Sequence, residues 1–449
     1  MLNTIFNISP YPLKVLFCSI VGYYKSNQKY GRHFFDCLNF LLNSDLQIKQ
    51  SKANDELYKF LKKMKANSNF YRNLIPDTLD INLVPIINKN IVLNNYKKII
   101  LEKPYKMGSS SGTTGTPLRV PYSKYVYQRE FAFWWYHWGL AGIKQGDKIA
   151  TIAGHKVTEV SRNKPPFWLY NLADNQLFFS SYHLSPANIP YYIMKLNSFK
   201  PDFIFGYPSS IFTLSKYILE NGTPIYFKPK MILTSSEKTY SFQRRSIEAA
   251  FKTKLYIMYG NAEYCGHIVE CAFGKLHVQP NHSYVRIVKN NGEEAKYGES
   301  GFLVATNFSN YSFPLINYNT LDIVKLSNDQ NCKCHYGGII IDTIEGRNED
   351  FIITPEKRII YRLGHIFKNA ENIRNAQIEQ THIDSITLRI ERQPLYSTKN
   401  EDLIRSEAKS RLGDSIGLHF EYVDEIQKNE NGKFKFLIQR MSKTDLEKL

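Results

Sequence analysis

The stretch GSSSGTTGTP, Gly108 to Pro117, holds only glycine, serine and threonine before its closing proline. Glycine lets a backbone turn through positive φ and approach a ligand closely, while Ser and Thr hydroxyls and exposed N–H groups donate to phosphate oxygens. The same composition also suits a flexible linker. Its order excludes one class of nucleotide site. Counted from Gly108, the G-x-x-x-x-G-K-[ST] of a P-loop needs glycine where Thr113 stands and lysine where Thr114 stands. Composition leaves linker and phosphate loop both open, so the decision passes to the surrounding sequence.

Upstream, to about residue 100, the pattern is helical, with apolar residues three and four apart in LYKFLKKMK, until the extended VPIINKN. From about 101 to 345, short apolar runs alternate with helix-like stretches: DKIATIAG, PDFIFGYPSSIFTLSKYILENG, KPKMILTSSE and SFQRRSIEAAFKTKLYIMYG. Strand and helix in alternation predict an α/β layered core. Past Gly346, IITPEKRIIY is hairpin-like, AENIRNAQIEQ helix-like and SITLRIERQPL strand-like, followed by a helix at 400–412 and an extended LHFEYVDEI. The expected architecture is therefore α/β: a large multi-layered N-terminal domain, made of a helical region 1–100 and a core 101–346, and a smaller mobile α+β C-terminal domain, 347–449. The polar, glycine-containing EGRNED supplies the hinge.

A formal charge of +17 raises nucleic acid or an anionic membrane as partners. The positives are dispersed, however, and the run Lys62, Lys63 and Lys65 reads as a solvated helix face, so no nucleic-acid partner is expected. There is no secretory signal, and six cysteines in a chain this long suit the cytoplasm better than a disulfide scaffold. The apolar segment PLKVLFCSIVGYY, Pro12 to Tyr24, is too short to span a bilayer and contains Lys14. A core or interface helix is expected there, with peripheral membrane docking as the alternative.

Four further motifs accompany the Gly/Ser/Thr stretch, in order. YGNAE (Tyr259–Glu263), PLINYNTLD (Pro314–Asp322), EGRNEDFI (Glu345–Ile352) and NGKFKF (Asn431–Phe436) follow SSGTTGTP (Ser110–Pro117). This series resembles the signature of AMP-forming, acyl-adenylating enzymes, the superfamily of acyl-CoA synthetases and adenylation domains. VPIINKN from Val84, FGYPSSI at 205–211, TSSE at 234–237 and the GKFKF ending are similar to the phenylacetate-CoA ligase family, especially its branch found with capsular and surface polysaccharide genes.

The resemblance implies a ligase that joins a carboxylic acid to ATP, releases pyrophosphate, and passes the acyl group to CoA or to an amine of a sugar or amino acid. A stable adenylylated product is the alternative outcome, and a non-catalytic basic binding protein with a degenerate ligase fold the last. Charge building on phosphate oxygens requires donors and cations around them. The resemblance places Ser110, Ser111, Gly112, Thr113, Thr114 and Gly115 in that cradle, with Thr114 catalytic and Ser236 and Glu237 in the nucleotide site. Glu263 would hold Mg2+, a cation that prefers oxygen ligands. Tyr259, Gly260 and Asn261 would line the adenine and acyl sites, and Asp322 would accept from ribose hydroxyls. Arg347 would contact the nucleotide at the hinge, and Lys433 would be the mobile lysine of adenylation. Three departures stand out: Asn317 for the usual Arg, Leu321 for the usual Gly, and Leu118-Arg119 where many relatives have Lys.

A second constellation is Cys271 and His277 in ECAFGKLH with Cys332 and Cys334 in NCKCHYGG. Three thiolates and an imidazole suit tetrahedral zinc, although the spacing matches no standard finger and leaves buried free thiols open. His335 competes as a ligand and Cys265 is a weaker candidate. Similar Cys and His positions in some members of the resembled family add to the zinc reading. His155 and His267 are expected to be hydrogen-bonded core histidines. GYPSS lacks the spacing of a hydrolase nucleophile elbow.

Overall fold

A computed structural model describes the chain outside residues 1–5, 7–8, 111–116, 156, 160–161, 186, 238, 240, 335, 347–351, 361–362, 368–369, 371, 425, 427–436 and 442–449. It begins with three helices, α1 (Tyr11–Lys29), α2 (Arg32–Asn43) and α3 (Leu46–Asn67). Asp45 starts α3 by accepting from Ile48 N at 2.8 Å, which satisfies one of the donors a helix leaves free at its start.

Of the expected core or interface helix, α1 is not the core form. It seats Lys14, Ser19 and Gly22 inward, and Ser19 Oγ accepts from Leu172 N at 3.0 Å. Leu13, Leu16, Phe17, Ile20 and Val21 face outward, 40–57 % exposed. Small residues let the helix lie close against its neighbours, so its large apolar side chains form the outer stripe.

The Gly/Ser/Thr stretch joins two strands of one hairpin. β1 (Lys106–Ser109) pairs antiparallel with β2 (Arg119–Tyr122), Gly108 opposite Val120, and Ser110 N donates to Leu118 O at 2.9 Å. The stretch therefore connects two paired strands rather than two domains. α4 (Lys124–Leu140) follows directly, capped by Ser123, whose Oγ accepts from Val126 N.

The alternating region folds as expected into a layered core. β3 (Ile149–Ala153), β5 (Gln176–Ser180), β6 (Phe203–Gly206), β7 (Met231–Ser235) and β8 (Leu255–Tyr259) run parallel in the order β5-β3-β6-β7-β8, with β4 (Trp168–Asn171) antiparallel at the edge. Every residue of IATIA and MILTS is buried, as a parallel strand covered on both faces requires. Ala150, Ile152, Ile204 and Ile232 pack against α5 (Ile189–Phe199), α6 (Pro208–Glu220) and α7 (Ser241–Phe251). Ile149, Phe203, Met231 and Leu233 pack on the other face against α2 and α4.

Six antiparallel strands extend this sheet: β9 (Ile268–Glu270), β10 (Leu276–Val278), β11 (Tyr284–Val288), β12 (Ser300–Thr306), β13 (Tyr318–Leu326) and β14 (Ile340–Gly346). Phe60, Leu61 and Met64 of α3 share their core with Ile287, Leu303 and Val324, so the helical N-terminal region packs on this antiparallel half.

From Ile352 onward a separate apolar cluster forms. The hairpin expected in IITPEKRIIY is β15 (Ile352–Ile353) paired with β16 (Ile359–Ile360). AENIRNAQIEQ is not helical: most of it belongs to β17 (Ile373–His382), which pairs antiparallel with β18 (Ser385–Arg392) and parallel with β20 (Leu437–Gln439). Ile373 and Ala376 stand three apart and imitate a helix, but pairing on both sides overrides that local pattern. β19 (Gly417–Val423) completes the sheet, and Ile404, Ala408 and Leu412 of α8 (Thr398–Leu412) cover it. Arg358 and Arg411 tie this unit to the large core through Tyr182, whose carbonyl accepts from Arg358 Nη1 at 2.9 Å and whose hydroxyl accepts from Arg411 Nη1 at 3.1 Å.

Candidate functional site

TSSE and YGNAE stand at the carboxyl ends of the neighbouring parallel strands β7 and β8, the edge of an α/β sheet where ligands bind. The hairpin stem is locked onto YGNAE. The Tyr122 hydroxyl donates to Ala262 O, and the Tyr122 and Tyr264 rings stack with centroids 4.4 Å apart. The hairpin stem therefore lies beside the segment carrying Glu263.

PLINYNTLD reaches the same place from β13. Tyr259 Oη donates to Asp322 Oδ2 at 2.6 Å, and Tyr318 Oη donates to Glu263 Oε1 at 3.3 Å. Burial, and next the Asp322 carboxylate, push the Tyr259 phenol far up, so it remains a donor. Asn261 orders the turn between these groups: its Oδ1 accepts from Cys265 N at 2.9 Å and its Nδ2 donates to Cys265 O at 2.6 Å. Tyr259, Asn261 and Asp322 thus form one hydrogen-bonded group, and Glu263 is tied to the same strand, β13, through Tyr318. Ser236 adopts φ of +77° at the end of β7, and Glu237 Oε2 accepts from Ser209 N at 3.3 Å, at the start of α6. Ser111, Gly112, Thr113, Thr114, Gly115, Arg347 and Lys433 lie outside the described residues.

The three departures have structural reasons. Asn317 is fully buried and donates through Nδ2 to Ile81 O and Val84 O, both at 2.8 Å. Ile87 N donates to Asn317 O, and Asn319 N to Ile87 O. An amide here clamps VPIINKN beside the site. Leu321 keeps a φ of +64°, the left-handed region that glycine occupies without cost and other residues at about 1–2 kcal/mol. Leu118 is a core residue with no exposure, an anchor for β2, whereas Arg119 is exposed.

Cys271, His277, Cys332 and Cys334 converge, with their donor atoms all within 4.8 Å of one another. Cys271 Sγ lies 3.8 Å from Cys332 Sγ, and Cys334 Sγ lies 3.2 Å from His277 Nε2. Two sulfurs about 2.3 Å from a tetrahedral zinc stand about 3.8 Å apart, so the donor set fits that ion. His277 Nδ1 donates to Gly337 O at 2.9 Å, which leaves Nε2 as the free lone pair facing the thiols. Gly337 and Gly338, with φ of +67° and +73°, make the return of the chain possible. Cys265 is buried in the core beside Asn261 and is not part of the cluster, and His335 lies outside the described residues.

Sequence reasoning passed over Tyr122, Tyr264, Glu130 and His282. Tyr122 has no signal beyond its position after the loop. Glu130 had one, as the lone acid inside the aromatic run REFAFWWYHW.

Residues 352–440 match a family model described as the CapK C-terminal domain. Over 461 aligned positions the chain is 31% identical to Protein CapK of Staphylococcus aureus, covering 98% of this chain and 100% of that protein. The chain belongs to the CapK family. This CapK-family chain is also 25% identical to phenylacetate-coenzyme A ligase of Pseudomonas putida, over 82% of this chain and 79% of the relative. Among solved structures it shares its fold with 2-hydroxyisobutyryl-CoA ligase in complex with 2-HIB-AMP and CoA, with a TM-score of 0.52, 17% identity and coverage of 90% of this chain and 93% of that one. With these relatives, the chain is an enzyme of the AMP-forming ligase class.

Replacing Asn317 by Ala strands two buried carbonyls and should destabilise the large core by about 2–4 kcal/mol. All four tryptophans, at 134, 135, 138 and 168, lie in that core, so urea unfolding followed by tryptophan fluorescence reads it directly. A change below about 0.5 kcal/mol would contradict the clamp.

Proposed function

We propose that this CapK-family enzyme activates a carboxylic acid as its acyl-adenylate and transfers the acyl group to a nucleophilic acceptor, in the formation of a capsular or surface polysaccharide. The observation that carries the reading is the Tyr259–Asp322 hydrogen bond, which joins YGNAE to PLINYNTLD beside the stem of the Gly/Ser/Thr hairpin.

Asp322 has an acceptor-only carboxylate for ribose hydroxyls, with Tyr259 fixing one oxygen. Glu263 is held by Tyr318 at the end of the parallel sheet and would hold Mg2+, which supplies charge neutralisation at the phosphates when bound. Ser110 to Gly115 would donate to the same phosphates. The carboxylate oxygen attacks the α-phosphorus and pyrophosphate leaves, with Lys433 bridging the two reactants. A mobile C-terminal domain 347–449, turning near Arg347, then admits the acceptor, which attacks the acyl carbon and releases AMP. Coenzyme A in the name of the Pseudomonas putida relative favours CoA over an amine. The cysteine–histidine cluster supports a structural zinc, and six cysteines outside any disulfide support a cytoplasmic site of action.

The outer stripe of α1 supports peripheral attachment to a membrane. Among the described residues no helix is long and apolar enough to cross one. Leu13, Leu16, Phe17 and Ile20 would enter the acyl boundary while Lys25 and Lys106, the latter 5.7 Å from the Tyr24 ring, meet anionic headgroups.

Carboxylate-dependent exchange of labelled pyrophosphate into ATP tests the chemistry. A panel of acids should reveal one that supports exchange, and Lys433→Ala, Glu263→Gln and Asp322→Asn should each reduce it about 100-fold or more. Absence of exchange across a broad panel with Mg2+ present, or exchange unaltered by Lys433→Ala, contradicts the proposal. Product mass separates thioester, amide and adenylylated compound. For attachment, the protein should sediment with phosphatidylserine-containing vesicles at low salt, and Leu16→Asp with Ile20→Asp should abolish it; a wild-type protein that stays in the supernatant overturns the membrane reading.

A further inference from the structure

Behind YGNAE lies a second group of potential ligands, remote from the cysteines in composition and unused by the ligase chemistry. Glu130 projects from α4, His267 follows the turn after YGNAE, and His282 precedes β11. Their ligand atoms lie within 4.8 Å of one another, and all three side chains are buried. The His267 and His282 rings stack with centroids 5.0 Å apart, and Phe133 packs on both.

His267 contradicts the expectation of a hydrogen-bonded core histidine. It is 1 % exposed, yet neither ring nitrogen has a hydrogen-bond partner among the described residues. Buried polar atoms are almost always paired, and each one left alone costs about 1–3 kcal/mol. Burial brings His267 down to about 3, so its imidazole is neutral and keeps a lone pair.

The other two residues carry the outer hydrogen bonds expected around a metal. Trp134 Nε1 donates to Glu130 Oε1 at 2.8 Å, which leaves Oε2 turned toward His282. His282 Nδ1 lies 3.3 Å from Ser283 Oγ, and that hydroxyl accepts from Gly266 N at 3.0 Å. The remaining atoms, Glu130 Oε2 and His282 Nε2, are joined by a hydrogen bond of 2.7 Å. A cation entering between them displaces the proton of that bond to solvent and opens the pair to about 3.4 Å, the separation of O and N ligands about 2.1 Å from a tetrahedral ion.

The geometry points to a second metal site, in which Glu130, His267 and His282 bind one divalent transition ion, zinc by its two-imidazole, one-carboxylate donor set. A water molecule satisfies one nitrogen of His267 at a time; an ion uses all three converging donors and neutralises the carboxylate inside an aromatic enclosure. The ion ties α4 to the segment that follows YGNAE. A Cβ placed on Gly260 would stand 3.9 Å from His267 Nδ1, so the site borders the backbone of that motif. Three protein ligands leave its fourth position to water or another small donor.

The test is metal content of the full-length protein, purified without metal-chelate chromatography and measured across zinc, iron, manganese and cobalt. Two equivalents per chain are expected. His267→Gln and Glu130→Gln should each lower this to one, and Cys332→Ser with Cys334→Ser should also leave one. X-ray absorption on the wild-type protein removes any dependence on variant folding. With both sites filled, three sulfurs are shared by two ions, about 1.5 per metal; with the cysteine site alone, about 3 per metal. One equivalent or less with about three sulfurs each, or two equivalents unaltered by His267→Gln, overturns the site.

Discussion

The hydrogen bond from Tyr259 to Asp322 crosses the junction on which the whole arrangement depends. Tyr259 ends the last parallel strand, whereas Asp322 lies on an antiparallel strand that arrives some sixty residues later in the chain, at a separation of 63 positions. Joining them makes one edge out of two differently built halves of the sheet. A phenol held neutral by burial beside a carboxylate gives a short, charge-assisted contact, and such contacts fix geometry more firmly than neutral ones. The Tyr122–Tyr264 stack then brings the Gly/Ser/Thr hairpin to the same edge.

That construction explains why the departures from the family pattern leave the site's frame intact. Leu321 preserves the left-handed backbone turn next to Asp322 without glycine. Asn317 donates two hydrogen bonds into the 81–84 segment, so the helical N-terminal region becomes part of the site's support. Function here rests on which residues are brought to the edge, and stability on what is packed behind them. The cysteine–histidine cluster and the Glu130–His267–His282 group both belong to the second category, each gathering side chains from separate elements behind the strand ends.

Much of this was legible in the sequence where local pattern and tertiary environment agree. IATIA and MILTS are continuous apolar runs because both faces of a parallel strand are covered, and their strand character needed no further information. YGNAE and PLINYNTLD were legible as motifs, and so was the meeting of Cys271 and His277 with Cys332 and Cys334. Legibility failed where long-range contacts decide. AENIRNAQIEQ carries a helical spacing that strand pairing on both sides overrules. Pro12 to Tyr24 is apolar enough for a core, but only its small and polar residues fit against the edge of the sheet. His267 looked like an ordinary core histidine because neither its missing partners nor its approach to Glu130 and His282 leaves a trace in spacing.

The proposed chemistry is attack by a carboxylate oxygen of the substrate on the α-phosphorus of ATP at this edge. It is tested most directly by following heavy oxygen from a doubly labelled acid, one that supports turnover, into the nucleotide product. Attack by the carboxylate and later cleavage of the acyl carbon–oxygen bond leave one labelled oxygen on AMP. AMP should carry one heavy oxygen per turnover; unlabelled AMP, or ADP with label in inorganic phosphate, would rule out attack by the carboxylate.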